Sequence, residues 1–125
     1  MPGPFKDDKA VYQTFGGLFE RLAQDGDAGK LAQESKLILR FRFKAPEAEI
    51  LLNCRKDPVD VKCGKTQTSA DLDLTVTAEA LDQILLGKLG MASALKSGEL
   101  RARGSLLKVK ALAPIFDAAQ RLYTA

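Results

Sequence analysis

The sequence predicts an α+β domain built on one five-stranded mixed sheet with helices packed on one face, in the order helix, three strands, strand, helices, strand, helix. Three observations predict it. Apolar residues recur at helical spacing near the start, at Val11, Phe15, Leu18, Phe19 and Leu22. From Lys36 to Thr77 the period changes to strict alternation in four separate stretches. Helical spacing then returns, interrupted by one short alternating run at residues 100–103. A chain of 125 residues is long enough to bury one core and short enough to form one domain. Residues 1–5 are read as a flexible leader and 6–125 as a single domain.

The first helix is expected from about Lys6 to Gln24, with Asp7 and Asp8 placed against the positive end of its dipole. Gly16-Gly17 in its middle costs about 2 kcal/mol relative to alanine, so packing must offset the pair. Close approach of the backbone to a neighbour is favoured over a compliant lid. Asp25-Gly26-Asp27 stops this helix.

On the first strand Leu37, Leu39, Phe41 and Phe43 share one face, and Arg40, Arg42 and Lys44 point to solvent. Ala45-Pro46-Glu47 ends it. Ile50, Leu52 and Cys54 alternate on the second strand, Arg55-Lys56-Asp57-Pro58 turns, and Val59, Val61 and Cys63 return on the third. Pairing Cys54 with Val59 sets Leu52 against Val61 and Ile50 against Cys63. The two sulfurs are then about 14 Å apart, too far for a disulfide, so both are expected to be buried free thiols.

After the polar stretch from Gly64 to Ser69, Leu72, Leu74 and Val76 face inward on the fourth strand, with Asp71, Asp73, Thr75 and Thr77 outward. Thr77 can cap a helix carrying Ala78, Leu81, Ile84 and Leu85, which breaks near Gly87-Lys88. A short helical segment around Met91, Ala94 and Leu95 ends at Ser97-Gly98. Leu100 and Ala102 alternate with Arg101 and Arg103 on the fifth strand. Ser105 is the expected cap of the last helix, whose stripe is Leu112, Phe116, Ala119 and Tyr123, with Pro114 forcing a kink or break.

The outward charges suggest the strand order. Placing strand four between strands one and five sets Asp71 and Asp73 beside the arginines, and the connection from strand four to five becomes a right-handed parallel crossover. The arginines are then a solvated, internally neutralised face. The alternative is a docking patch for acidic headgroups that would also include Arg55, Lys56, Lys62 and Lys65.

Composition excludes several functions. The chain has no histidine, which removes Ser-His-Asp and Cys-His chemistry and histidine-bearing zinc sites. A net charge of +3 is too small for a dedicated nucleic-acid binder. No apolar run approaches the ~20 residues of a spanning helix, and Met1-Pro2-Gly3-Pro4 lacks a signal peptide's apolar segment, so a cytoplasmic protein is expected. No cofactor or metal is expected, and no spacing of acids marks a catalytic pair.

The strand Asp71-Leu72-Asp73-Leu74-Thr75-Val76 leads into a helix ending Leu86-Gly87-Lys88, followed by Ala94-Leu95-Lys96-Ser97-Gly98-Glu99-Leu100-Arg101-Ala102-Arg103-Gly104. This order resembles the sterol carrier protein type 2 family, whose small domains bind fatty acyl chains, sterols and related lipids. The last run is similar to the family's glycine, short basic strand, glycine signature, and Leu112 to Phe116 sit where its final apolar helix lies. Ala94-Leu95 replaces the aromatic residues often found there, and the family's tryptophan is absent. The resemblance implies an apolar cavity between sheet and helices. Its expected wall is Phe15, Phe19, Leu81, Leu85, Met91, Leu95, Leu112 and Phe116. The function implied is non-catalytic binding and intracellular transfer of lipids, with a fatty acid or other lipid as ligand and transient contact with an anionic membrane surface. The alternative is an accessory module that presents substrate to, or assembles beside, a lipid-metabolising enzyme.

Overall fold

The computed structural model describes residues 5–124. The expected leader lies outside them except for Phe5, whose ring is buried and stacks on Phe15 at 5.2 Å between centroids. The Asp7 carboxylate accepts from the Ala10 N–H at 3.0 Å and starts α1 (Asp8–Val11). The chain continues through a π-helical turn, Tyr12–Gly16, into α2 (Gly17–Gln24). The wider turn sits at the glycine pair. A Cβ on Gly16 would lie 2.8 Å from the Cys63 sulfur, whereas one on Gly17 would meet nothing within 4 Å. Close packing therefore explains the first glycine only.

Asp25 ends α2 and starts another helix, accepting from the N–H groups of Asp27 (3.0 Å) and Ala28 (2.8 Å). That helix, α3 (Gly26–Ser35), has no counterpart in the expected order. Its buried face is Ala28, Gly29 and Ala32, small residues that leave little hydrophobic periodicity to read.

The strands are β1 (Ile38–Lys44), β2 (Ala48–Asn53), β3 (Asp60–Cys63), β4 (Leu72–Thr77) and β5 (Leu100–Arg103). They form one sheet in the order β3-β2-β1-β4-β5. Ile50 opposes Cys63 and Leu52 opposes Val61, the register expected from alternation. β4 lies between β1 and β5 as charge pairing suggested, but it is parallel to β1 and antiparallel to β5. The expected parallel crossover from β4 to β5 is thus corrected. Two helices, α4 (Ala78–Leu85) and α5 (Met91–Ser97), leave the end of β4 and come back to it around Gly87, so Leu100 enters opposite Val76 and β5 must run the other way. Thr77 caps α4 through its hydroxyl, which accepts from the Ala80 N–H at 3.0 Å.

Ser105 precedes α6 (Leu106–Lys110) but makes no side-chain cap bond, contrary to expectation. The expected break falls at Ala111, and α7 (Leu112–Thr124) begins just after it. Pro114 sits in the first turn of α7, where a missing N–H breaks no helical bond. Gly104, before α6, has φ 148°, and a Cβ there would come within 2.5 Å of a Leu72 methyl, so only glycine fits.

On the outer face the expectation that Arg40 points to solvent is wrong. β3 is an edge strand and β4 lies beyond β1, so the chain from Cys63 to Leu72 must cross over β2 and β1. It crosses on the face away from the helices and buries Arg40 to 7 % exposure, together with Leu51 and Ile38. The Arg40 guanidinium donates to the Thr66 hydroxyl at 3.1 Å and to the Thr68 carbonyl, and it lies 3.5 Å from Asp73 and 3.7 Å from Glu49. Arg42 pairs with Asp73 at 3.2 Å. Asp71 instead joins three elements. It accepts from the Ile38 N–H at 2.8 Å, from Arg55 at 3.0 Å and from Lys108 at 3.2 Å. Asp73 lies opposite Arg103 in the β4–β5 register as the charges suggested, but among the described residues no ion pair involves Arg101 or Arg103.

The cysteines are both free, but only Cys54 is buried; the expectation of two buried thiols fails for Cys63, which is exposed on the edge strand. Burial pushes the Cys54 thiol up to about 11 against a small opposing bond to Ser35. Partial desolvation beside the first helix, and then the Glu20 carboxylate, raise that of Cys63.

Three outcomes follow from this packing. Arg40→Met removes the crossover's anchor and leaves two carboxylates facing each other, and should lower unfolding free energy by about 3 kcal/mol, read as a shift in urea midpoint. Proteolysis within residues 64–70 should accelerate in parallel, and an unchanged midpoint and cleavage rate would refute the anchoring role. For Asp71, burial works to raise the pKa, but the Ile38 N–H, Lys108 and Arg55 outweigh it and hold the carboxyl below its ordinary value. Its contribution is complete above the unfolded pKa of about 4 and is lost as pH falls through the lower folded value, so Asp71→Asn should flatten the acid limb of stability against pH. With a disulfide-exchange reagent at about pH 8, Cys63 should react in the native protein and Cys54 only on unfolding. Equal native rates for Cys63→Ser and Cys54→Ser variants would contradict this.

Candidate functional site

The inner face of the sheet supplies an aromatic and aliphatic floor. Leu39, Phe41 and Phe43 of β1, Ile50 and Leu52 of β2, and Leu72, Leu74 and Val76 of β4 all point there and are at most 2 % exposed. Alternation put them on this face, and β1 occupies the centre of the sheet, so its phenylalanines lie under the middle of the helical layer.

Two groups of rings join floor to helices. Phe15, from the π-helical turn, stacks on Phe43 at 5.4 Å and on Tyr123 of α7 at 6.1 Å. Phe19 of α2 packs on Phe41 at 4.9 Å, and Phe116 of α7 reaches the same ring at 6.4 Å. The wall expected from sequence assembles around these rings. Phe15, Phe19, Leu81, Leu85, Leu112 and Phe116 are buried in one apolar cluster, and Met91 and Leu95 of α5 pack against it half-buried. All eight therefore share one apolar body. The expected wall comes from helices alone and lacks Phe41, Phe43 and Tyr123, whose rings join the same cluster. Alternation had already turned the two phenylalanines toward the helices, and the stripe of the last helix had included the tyrosine.

Polar contacts mark where α7 meets α4. The Tyr123 hydroxyl donates to the Asp82 carboxylate, and the Gln120 amide donates to the Ile84 carbonyl at 2.8 Å. Burial, and then the Asp82 carboxylate, push the Tyr123 phenol upward, so it stays a donor. Each buried side-chain nitrogen or oxygen among the described residues has a hydrogen-bond partner. Among the described residues no cluster of histidine, cysteine, aspartate or glutamate is arranged to hold a metal ion.

Two open cavities reach the surface near one end of the sheet, and Phe43 of the floor is part of the lining of the first. One of about 780 Å³ is lined by residues that include Tyr12, Arg42, Lys44, Glu49, Lys65 and Arg101. The other, of about 370 Å³, shares Lys44, Thr75 and Arg101 with it. None of the eight residues of the expected wall lines either one.

This architecture has known counterparts. The sterol carrier protein 2 of Yarrowia lipolytica in its apo form is 24% identical, with 83% of this chain and 88% of that one covered and a TM-score of 0.64. The sterol carrier protein domain 2 of Helicoverpa armigera is 18% identical, with 95% and 93% covered and a TM-score of 0.75. A UbiJ-SCP2 ubiquinone synthesis protein is 22% identical, with 98% of both chains covered and a TM-score of 0.66. At these identities the likeness shows a shared fold. No curated protein matches the chain. A family model described as the SCP-2 sterol transfer family matches residues 15–117, from the ring that stacks on Phe43 to the residue after Phe116. That span takes in the whole sheet and most of the helical layer, and the chain belongs to the SCP-2 sterol transfer family.

Proposed function

We propose that the chain binds fatty acyl chains, sterol-like molecules or related lipids in the apolar body between sheet and helices and transfers them, with no chemistry of its own. The observation that carries this reading is the family match over residues 15–117. The convergence of Phe15, Phe19, Leu81, Leu85, Met91, Leu95, Leu112 and Phe116 on one apolar body supports it.

Six of these eight side chains are buried, so a guest enters by parting helices rather than by filling a standing void. The sheet is held by continuous backbone ladders, whereas the helical layer is interrupted around Gly87 between α4 and α5 and at Ala111 between α6 and α7. The helical layer is the part that yields. Each buried methylene is worth roughly 0.8 kcal/mol, so a long acyl chain offers on the order of 10 kcal/mol toward opening and association. Met91, unbranched and half-buried, can follow guests of different shape.

Cytoplasmic action and transient contact with anionic membranes belong to the same proposal. No helix among the described residues is long and apolar enough to cross a membrane. An accessory role beside a lipid-metabolising enzyme is the second reading, favoured by the full-length structural likeness to a protein named for ubiquinone synthesis.

A fluorescent fatty acid should bind saturably and be displaced by unlabelled lipid, and native mass spectrometry should show co-purified lipid. Leu95→Gln puts an amide into the half-buried wall and should weaken binding about tenfold with thermal unfolding little changed. Non-saturable uptake, with no lipid in the native spectrum, would end the proposal. Faster exchange of labelled lipid between two vesicle populations favours the carrier; tight binding without faster exchange favours the accessory module.

A further inference from the structure

The crossover from β3 to β4 divides the outer face of the sheet. It covers the part around Arg40, Leu51 and Ile38 and leaves open the end of β1 and its neighbours. The cavity of about 780 Å³ begins in that open part and wraps the end of the sheet to reach Asp8 and Tyr12 of the first helical segment, and its volume is within the ~300–1,000 Å³ of small-molecule sites. Its lining brings together Arg42, Glu49 and Thr75 of the sheet, Lys65 of the crossover, Tyr12 of the π-helical turn and Arg101 of β5. The cavity of about 370 Å³ shares Lys44, Thr75 and Arg101 with it and extends the concavity along β4 and β5.

The charges around this concavity divide into two sets. Arg42 is answered by Asp73 at 3.2 Å, and Glu49 by Arg40 at 3.7 Å. Lys44, Lys65 and Arg101 take part in no ion pair among the described residues, although all three line the same cavity. Asp8 and Glu47 also line it, Asp8 in the first turn of α1 and Glu47 at the β1–β2 turn. With Arg42 and Glu49 paired, three cations stand against the two carboxylates of Asp8 and Glu47, a small positive excess that favours an anion in the concavity. Arginine and lysine beside the Thr75 hydroxyl offer donors to several oxygens of one anion, which suits a phosphate better than a single carboxylate. Tyr12, Phe43 and Ala48 give the same cavity apolar wall for an organic substituent.

We infer that the open part of the outer sheet face binds a phosphate-bearing organic molecule through Lys44, Lys65 and Arg101. The three cations stand outside the apolar body, although Phe43 and Ala48 on the cavity's other wall belong to that body and Tyr12 packs against it, and none of the three is one of the eight residues expected to line a lipid cavity. The phosphate can belong to a soluble ester or to a headgroup in a bilayer, and the two sources are separable.

Amide chemical shifts of the full chain are followed during titration with glycerol 3-phosphate, and sedimentation is measured with phosphatidylcholine vesicles with and without phosphatidic acid. Saturable shifts confined to Arg42, Lys44, Lys65, Thr75 and Arg101 support the soluble source. Selective sedimentation with phosphatidic acid, without response to the soluble ester, supports the bilayer source. In either case a Lys44→Gln, Lys65→Gln, Arg101→Gln triple variant should bind at least about tenfold more weakly, with thermal unfolding little changed because all three residues are exposed. Fatty acid uptake should persist in that variant, so failure here and failure of the lipid reading are distinct. No response in either arm, equal shifts with acetate at matched ionic strength, or full binding by the triple variant would overturn the inference.

Discussion

A guanidinium can be buried in a sheet only if its donors are met and its charge is answered, because an unpaired ion in a protein interior costs several kcal/mol. Arg40 meets that condition through residues that are remote in sequence: Glu49 on β2, Asp73 on β4, and Thr66 and Thr68 on the crossover between β3 and β4. The crossover spans three inter-strand gaps, about 14 Å, with few apolar residues of its own. Backbone bonds from Gly64 to Glu49 and from Asp71 to Ile38, both 2.7 Å, fix its ends, and Arg40 ties its middle to the outer face above Leu51.

The two faces of the sheet consequently do different work. The inner one is a continuous apolar surface on which helices rest through stacked rings and aliphatic contacts, interactions that have little directionality and survive displacement. The outer one is polar and is specified by hydrogen bonds and ion pairs with defined partners. An opening that parts α7 from α4 would break the bonds from Tyr123 to Asp82 and from Gln120 to the Ile84 carbonyl, yet leave the ladders of β1 intact. The fold thus joins a hydrogen-bonded sheet to a helical layer held on it mainly by apolar contact.

Much of this was legible in the order of residues because large side chains alternate cleanly. Leu37, Leu39, Phe41 and Phe43 can face the core only as a strand, and the β2–β3 register follows from the same parity. The eight residues expected to line a cavity were legible as apolar stripes, and they meet in one apolar cluster. α3 was not legible, because Ala28, Gly29 and Ala32 mark a buried face by being small. The direction of β5 was missed for a different reason. A parallel crossover needs one return across the sheet, and the break at Gly87 makes two. Cys63 alternates with core residues, but its strand is short and lies at the edge, so parity alone misjudged its exposure.

By itself the sequence determined the α+β class, the strand register, which helical stripes are apolar, and the exclusion of histidine-based chemistry, since each depends on local period or on composition. Only the tertiary structure decided that Arg40 is buried and that Lys44, Lys65 and Arg101 gather around one cavity. It also brought the apolar stripes of separate helices into one buried cluster with the sheet. Those properties depend on where a connection crosses and which distant segments meet, and no period within a single segment encodes that.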